Sequence, residues 1–151
     1  MATRRRTERA LWRLCMVVLV AALMVGWHSR AGADAVAEVD SAGLAELLEQ
    51  GVTIVDIRRP DEWRETGVID GSVQITAVNA EGRLVEEFPA AIATAVGRDE
   101  PVAIICRSGN RSALIARMMS EHGGYTRVID AAGGIRAWLD ADLPVVPCSR
   151  C

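Results

Sequence analysis

Two periods of apolar residues alternate along the chain. "VTIVDI" (52–57) and "PVAIIC" (101–106) are unbroken apolar or β-branched runs. Such runs predict strands buried on both faces. "AVAEV" (35–39), "GSVQIT" (71–76) and "TRVIDA" (126–131) predict shorter strands. Between them the spacing shifts to three and four. In "DSAGLAELLEQG" apolar residues fall at 44, 47 and 48, with Asp40 or Ser41 as N-cap and Gly51 as the stop. "RPDEWRETG" (59–67) has proline at its start and glycine at its end, the mark of a short helix. "EEFPAAIATAVG" (86–97), "RSALIARMMSEHGG" (111–124) and "GGIRAWLDAD" (133–142) predict three more helices, and "NAEGR" (79–83) a turn. No internal repeat or low-complexity segment interrupts the pattern.

Strands alternating with helices predict an α/β domain with a mostly parallel sheet. Ligands of such sheets sit beyond the carboxyl ends of the strands. The apolar run 101–106 ends on Cys106, which places a thiol at such an end.

Composition changes the picture at the N-terminus. "MATRRRTERALWR" is basic, Leu14–Val25 is an uncharged run of 12, and "AGA" (31–33) precedes Asp34. A basic segment, a short apolar segment and small residues form the layout of a secretory signal. The run is short of the about 20 residues that span a bilayer. Residues 1–33 are therefore expected to be a signal peptide, with an N-terminal membrane anchor as the alternative. The expected location is periplasmic or secreted, or outside the cytoplasm on an anchor. The remaining chain, 34–151, holds eleven arginines against nineteen carboxylates, a net of −8. Such a chain suits neither nucleic acid nor an anionic membrane surface. All 17 basic residues are arginine, which excludes Schiff-base and P-loop lysine chemistry.

The thiol sits in "CRSGNRS" (106–112). A loop this short, leading into a helix, turns successive N–H groups inward and forms an anion nest. Gly109 and Asn110 tolerate left-handed turns. The helix N-terminus adds positive charge, which favours the thiolate, the nucleophilic form of a cysteine. Arg107 and Arg111 add more, and paired guanidinium N–H groups suit oxyanions. Beyond residue 33 the only histidine is His122, at the far end of the helix, so a Cys–His hydrolase is not supported. Cys148 and Cys151 lack a second pair for zinc, and no G-x-G-x-x-G or P-loop is present. No metal or cofactor is expected.

Four segments in order, "VDIRRPDEW" (55–63), "GVIDGS" (67–72), "VAIICRSGNRSA" (102–113) and "GGIRAW" (133–138), resemble the rhodanese family of sulfurtransferases. The resemblance spans roughly Val39–Pro147. It implies a domain over 34–147 with a five-stranded parallel sheet flanked by helices. It also implies a ping-pong reaction. Cys106 would take the outer sulfur of a donor such as thiosulfate as a persulfide, then pass it to cyanide or a thiol. The loop from Arg107 through Ser108, Gly109 and Asn110 to Arg111 would stabilise the persulfide. Arg111 would hold the loop and the donor's anionic end. Asp56 and Arg58 match an Asp-x-Arg near the site's rim, or form a structural ion pair. Trp63 and Trp138 match core positions. Where the family often has Gly-His-Ile-Pro-Gly-Ala, this chain has Gly67-Val68-Ile69-Asp70-Gly71-Ser72.

Loop length separates two chemistries. A related fold in some phosphatases and arsenate reductases places arginine six positions after the cysteine. Here that position is Ser112, and Arg111 lies five after Cys106. A smaller cradle suits one sulfur atom better than phosphate or arsenate. The expected function is exported sulfur transfer from a small donor to a thiol or cyanide acceptor. The alternatives are a non-enzymatic sulfur-carrier or redox-partner module for an exported thiol protein, and then an oxyanion enzyme. The tail "CSRC" (148–151) remains open between a passive disulfide, a candidate redox pair, and metal or partner binding.

Overall fold

The computed structural model describes residues 36–149 and Cys151. The expected signal segment, 1–33, lies outside the described residues. Among the described residues five strands and five helices alternate: β1 (Ala37–Val39), α1 (Ser41–Glu49), β2 (Thr53–Asp56), α2 (Pro60–Thr66), β3 (Val73–Gln74), α3 (Phe88–Ala95), β4 (Val102–Ile105), α4 (Asn110–Glu121), β5 (Val128–Ala131) and α5 (Gly134–Asp140). The strands pair in the order β1-β5-β4-β2-β3, all parallel. The fold is the five-stranded parallel α/β architecture that the resemblance implies.

The period of two along β4 divides the core. Val102 and Ile104 face α3 and α4, packing with Phe88, Ile92, Ile115 and Met119. Ala103 and Ile105 face the other way, with Leu44, Ile135 and Trp138 of α1 and α5. The alternation carries Cys106 onto the α4 side, where it is fully buried. Trp63 and Trp138 are buried too, and Trp138 Nε1 donates to Pro144 O at 2.9 Å.

Element ends follow local chemistry. Asp40 caps α1 by accepting from Gly43 N–H at 2.9 Å. Pro60 opens α2 and Pro89 lies in the first turn of α3, where a missing N–H costs nothing. The strand expected over 71–76 shortens to Val73–Gln74 because Ser72 N–H turns back to Ile69 O. The turn at 79–83 is built on Asn79 Oδ1, which accepts from Glu81 and Arg83 N–H.

From β4 the chain crosses through α4 to β5; from β2 it crosses through α2 to β3, on the opposite side. The loops after β2 and β4 therefore diverge and leave a crevice between them. Such a switch point is where open α/β sheets place ligands, and Cys106 lies at its lip.

Candidate active site

The loop after β4 is held by main chain. Ile135 N–H donates to Cys106 O at 2.8 Å, and Arg136 N–H to Arg107 O at 3.2 Å. The first turn of α5 thus fixes the loop from beneath. That docking needs glycine. Gly133 and Gly134 take φ +73° and +62°, and a Cβ on Gly134 would lie 2.7 Å from Arg107 C and Ser108 N. A Cβ on Gly109, at φ +89°, would meet Gly133 N at 2.9 Å. The positive φ expected in the loop falls on Gly109 alone, while Asn110 already begins α4.

The Cys106 and Arg107 carbonyls turn to α5, and the N–H groups of residues 107–111 have no hydrogen-bond acceptor among the described residues. Arg107, Ser108 and Asn110 are exposed and Gly109 and Arg111 half-buried, so these donors are open to solvent or to an anion. Five of them beside one thiol make a cradle for an anion. Cys106 is the free cysteine beside this cradle.

The two arginines of the loop divide their work. Arg111 donates from Nη1 to Glu62 Oε2 at 2.8 Å and from Nη2 to Glu62 Oε1 at 2.5 Å. This paired contact ties the first turn of α4 to the first turn of α2 across the crevice. Both Nη atoms point at Glu62, so the guanidinium secures the loop. Arg107 is exposed and has no ion-pair partner among the described residues. Ser108 and Asn110 are exposed as well. Burial pushes the Glu62 carboxyl up, but the bonds from Arg111 and from Arg59 N–H outweigh it and hold it below the usual carboxylate range. The same bond raises Arg111.

Asp56 and Arg58 form the structural ion pair. Arg58 is 0 % exposed and Asp56 1 %. Arg58 Nε and Nη2 hold the Asp56 carboxylate, with Nη2 at 2.6 Å from Oδ2. Its remaining donors reach Glu62 O, Thr66 Oγ1 and Gly67 O at the end of α2. One buried cation thus caps the carbonyl end of α2 and presents nothing to the crevice.

Five residues of the site carried weak signals in the sequence. Glu62 is one acid among several at a helix start. Its capping bond to Arg59 N–H at 3.0 Å is local, but its pairing with Arg111 crosses 49 residues. Gly133–Gly134 was visible as a turn into a helix, without the loop that rests on it. Ser112, fully buried, donates to Gly109 O at 2.9 Å. Asp130, on β5, is 4 % exposed with Oδ1 unpartnered. Burial pushes its carboxyl up; Ser112 opposes this and Glu38, across the β1–β5 register, adds to it.

The model of the Rhodanese-like domain matches residues 40–141. The chain belongs to the rhodanese-like domain family. A "Sulfurtransferase" of Allochromatium vinosum is 34 % identical over 111 residues, covering 72 % of this chain and 94 % of that protein. Arabidopsis thaliana "Thiosulfate sulfurtransferase 16, chloroplastic" is 30 % identical over 102 residues, covering 66 % and 83 %. Among solved structures, a rhodanese-related protein of Thermoplasma volcanium superposes with a TM-score of 0.59 at 29 % identity, covering 74 % of this chain and 99 % of that one. In this rhodanese-like domain, then, the described loop follows the central strand and is fixed by α2 and α5.

Proposed function

We propose that the chain is an exported sulfurtransferase that carries sulfane sulfur on Cys106. The observation that carries this reading is the row of five N–H groups, without an acceptor among the described residues, beside a free cysteine at the switch point. The Cys106 thiolate attacks the outer sulfur of a donor such as thiosulfate. The donor's S–S bond breaks, sulfite leaves with the electron pair, and Cys106 holds a persulfide. Cyanide or a thiol then attacks the outer sulfur and restores the thiolate. The N–H groups of 107–111 stabilise the anionic persulfide. Arg107, exposed and unpaired among the described residues, meets the donor's anionic end, a task that Arg111 is turned away from by Glu62. No cofactor or metal enters the reaction.

Ser112 supports sulfur over phosphate. The position where a longer loop would carry arginine is a buried hydroxyl bonded back to Gly109 O. Export rests on the N-terminal layout, and it would place the protein in the periplasm or outside the cell.

The test is turnover of thiosulfate and cyanide by the full chain and by Cys106→Ser. Turnover that Cys106→Ser abolishes is expected. Equal turnover by both would refute the assignment. Loading of Cys106 without turnover would instead make the domain a sulfur carrier.

A further inference from the structure

The tail is a second sulfur site, set apart from the first. Cys148 and Cys151 form a disulfide with Cα atoms 5.6 Å apart. Just before it, Val146 pairs with Val68 through two main-chain bonds, N–H to O at 2.9 and 2.8 Å. Gly67 permits this approach, since a Cβ there would lie 2.8 Å from Val146 O. Arg64 Nη1 donates to Cys151 O at 2.6 Å. The tail is therefore pinned beside the end of α2.

That position separates it from Cys106. α5 leaves the Cys106 loop at Gly134 and runs seven residues away, roughly 10 Å, before the chain returns at 143–146. α2 likewise starts beside the crevice, at Glu62, and Val68 follows its other end. Cys106 is fully buried at the near end of both helices, so it is not the partner of the tail.

A structural role accounts poorly for the bond. A disulfide constrains the unfolded chain least when its loop is short. This one joins residues three apart, beyond the last main-chain pairing at Val146. It ties no further segment to the domain. Yet both cysteines are only partly buried, and Cys148 opens on a cavity of about 420 Å³ with Ser149, Asp70, Ser72 and Gln74 in its wall. Beside the cavity runs β3, the last strand in the sheet order, with Val73 37 % exposed. An open edge offers main-chain bonds to an extended segment.

We propose that Cys148–Cys151 is a thiol–disulfide exchange site for an extended dithiol segment of a partner protein, seated in this cavity along β3. A partner thiolate attacks Sγ of Cys148, the cysteine that lines the cavity. The Cys148–Cys151 bond breaks, a mixed disulfide forms on Cys148, and Cys151 leaves as thiolate close to the Arg64 cation. The second partner thiolate attacks the partner sulfur of the mixed disulfide, and Cys148 leaves with the electron pair. The two protons lost by the partner thiols end on Cys148 and Cys151. The partner is oxidised by two electrons and the tail is reduced by two. This exchange is independent of sulfur loading at Cys106.

The experiment mixes the oxidised full chain with an extended synthetic peptide carrying two cysteines, and separately with glutathione, with no sulfur donor present. Acid quenching, alkylation and peptide mapping follow each cysteine. The expected result is a mixed disulfide on Cys148 and reduction by the peptide at least about tenfold faster than by glutathione at equal thiolate. Asp70→Trp, an exposed position that fills the cavity, should bring the peptide down to the glutathione rate, with folding checked by circular dichroism. A mixed disulfide on Cys151, equal rates for both thiols, or a tail that resists the peptide would overturn the proposal. Without a sulfur donor in the assay, none of these outcomes bears on transfer at Cys106.

Discussion

Cys106 and the Cys148–Cys151 pair sit in opposite settings. Cys106 is 0 % exposed, and its loop is fixed by two bonds from α5 and by the Arg111–Glu62 pair. The tail cysteines are partly exposed and held by one bridge and one arginine contact. A carrier of one reactive sulfur gains from a rigid, water-poor cradle, because preorganised donors cost no rearrangement when charge develops. An exchange site must instead let two sulfurs of a partner approach in line. Under the two proposed roles, burial follows the size of the sulfur cargo rather than its chemistry.

Substitutions can break that contrast, and Gly134→Ala should do so most. Its Cβ would press on the main chain of Arg107 and Ser108, at a positive φ. Sulfur transfer should fall by about 100-fold, since misplacement of about 1 Å costs that much, and stability by about 3 kcal/mol. Kinetics and urea unfolding of the same preparation check both. Exchange at the tail should persist in whatever fraction stays folded.

Glu62→Gln comes next. It leaves the Arg111 guanidinium without its carboxylate, and sulfur transfer should drop about tenfold, or about 1.4 kcal/mol of barrier. The pH dependence has a definite sign. The folded Glu62 carboxyl lies below its ordinary value, so the pair's stabilisation is complete above the unfolded value of about 4.3. It is lost as the pH falls through the folded value. Unfolding followed between neutral pH and pH 2 should show this acid loss in the parent chain and less of it in Glu62→Gln.

Asp130→Asn should act in the opposite direction and more weakly. Burial raises that carboxyl, so the native state favours its proton. Stability from this group is full below the unfolded value and is lost as pH rises through the folded one. The variant should therefore be more stable than the parent at neutral pH and no more stable near pH 3. Denaturant midpoints at the two pH values decide it. Cys151→Ser should have the smallest effect: sulfur transfer unchanged and a stability loss of at most about 2 kcal/mol. A large loss of transfer would join the two sites and erase the comparison.

The sheet was legible because its signals are local. Two apolar runs, four glycine stops and two helix-start prolines mark most elements within a residue or two, and the second run ends where Cys106 stands. The loop was legible for the same reason, being seven consecutive residues. Its supports were not. Glu62 reaches Arg111 across 49 residues, and Gly134 touches Cys106 across 28 positions of chain. Neither pairing leaves a periodic trace. Arg58 was open between a residue of the rim, by the Asp-x-Arg resemblance, and a structural ion pair with Asp56. Only the fold reveals that its donors turn inward, to the Asp56 carboxylate and to the end of α2.

The central claim is that Cys106 carries the sulfur, and intact mass spectrometry of the full chain after thiosulfate treatment tests it most directly. Under conditions that keep the tail cysteines accounted for by alkylation, the account predicts the mass of one added sulfur atom, mapped to the peptide of Cys106. Cyanide should remove it, and Cys106→Ser should never gain it. A chain that gains no sulfur, or gains it on Cys148 or Cys151 while Cys106 stays bare, would contradict the account.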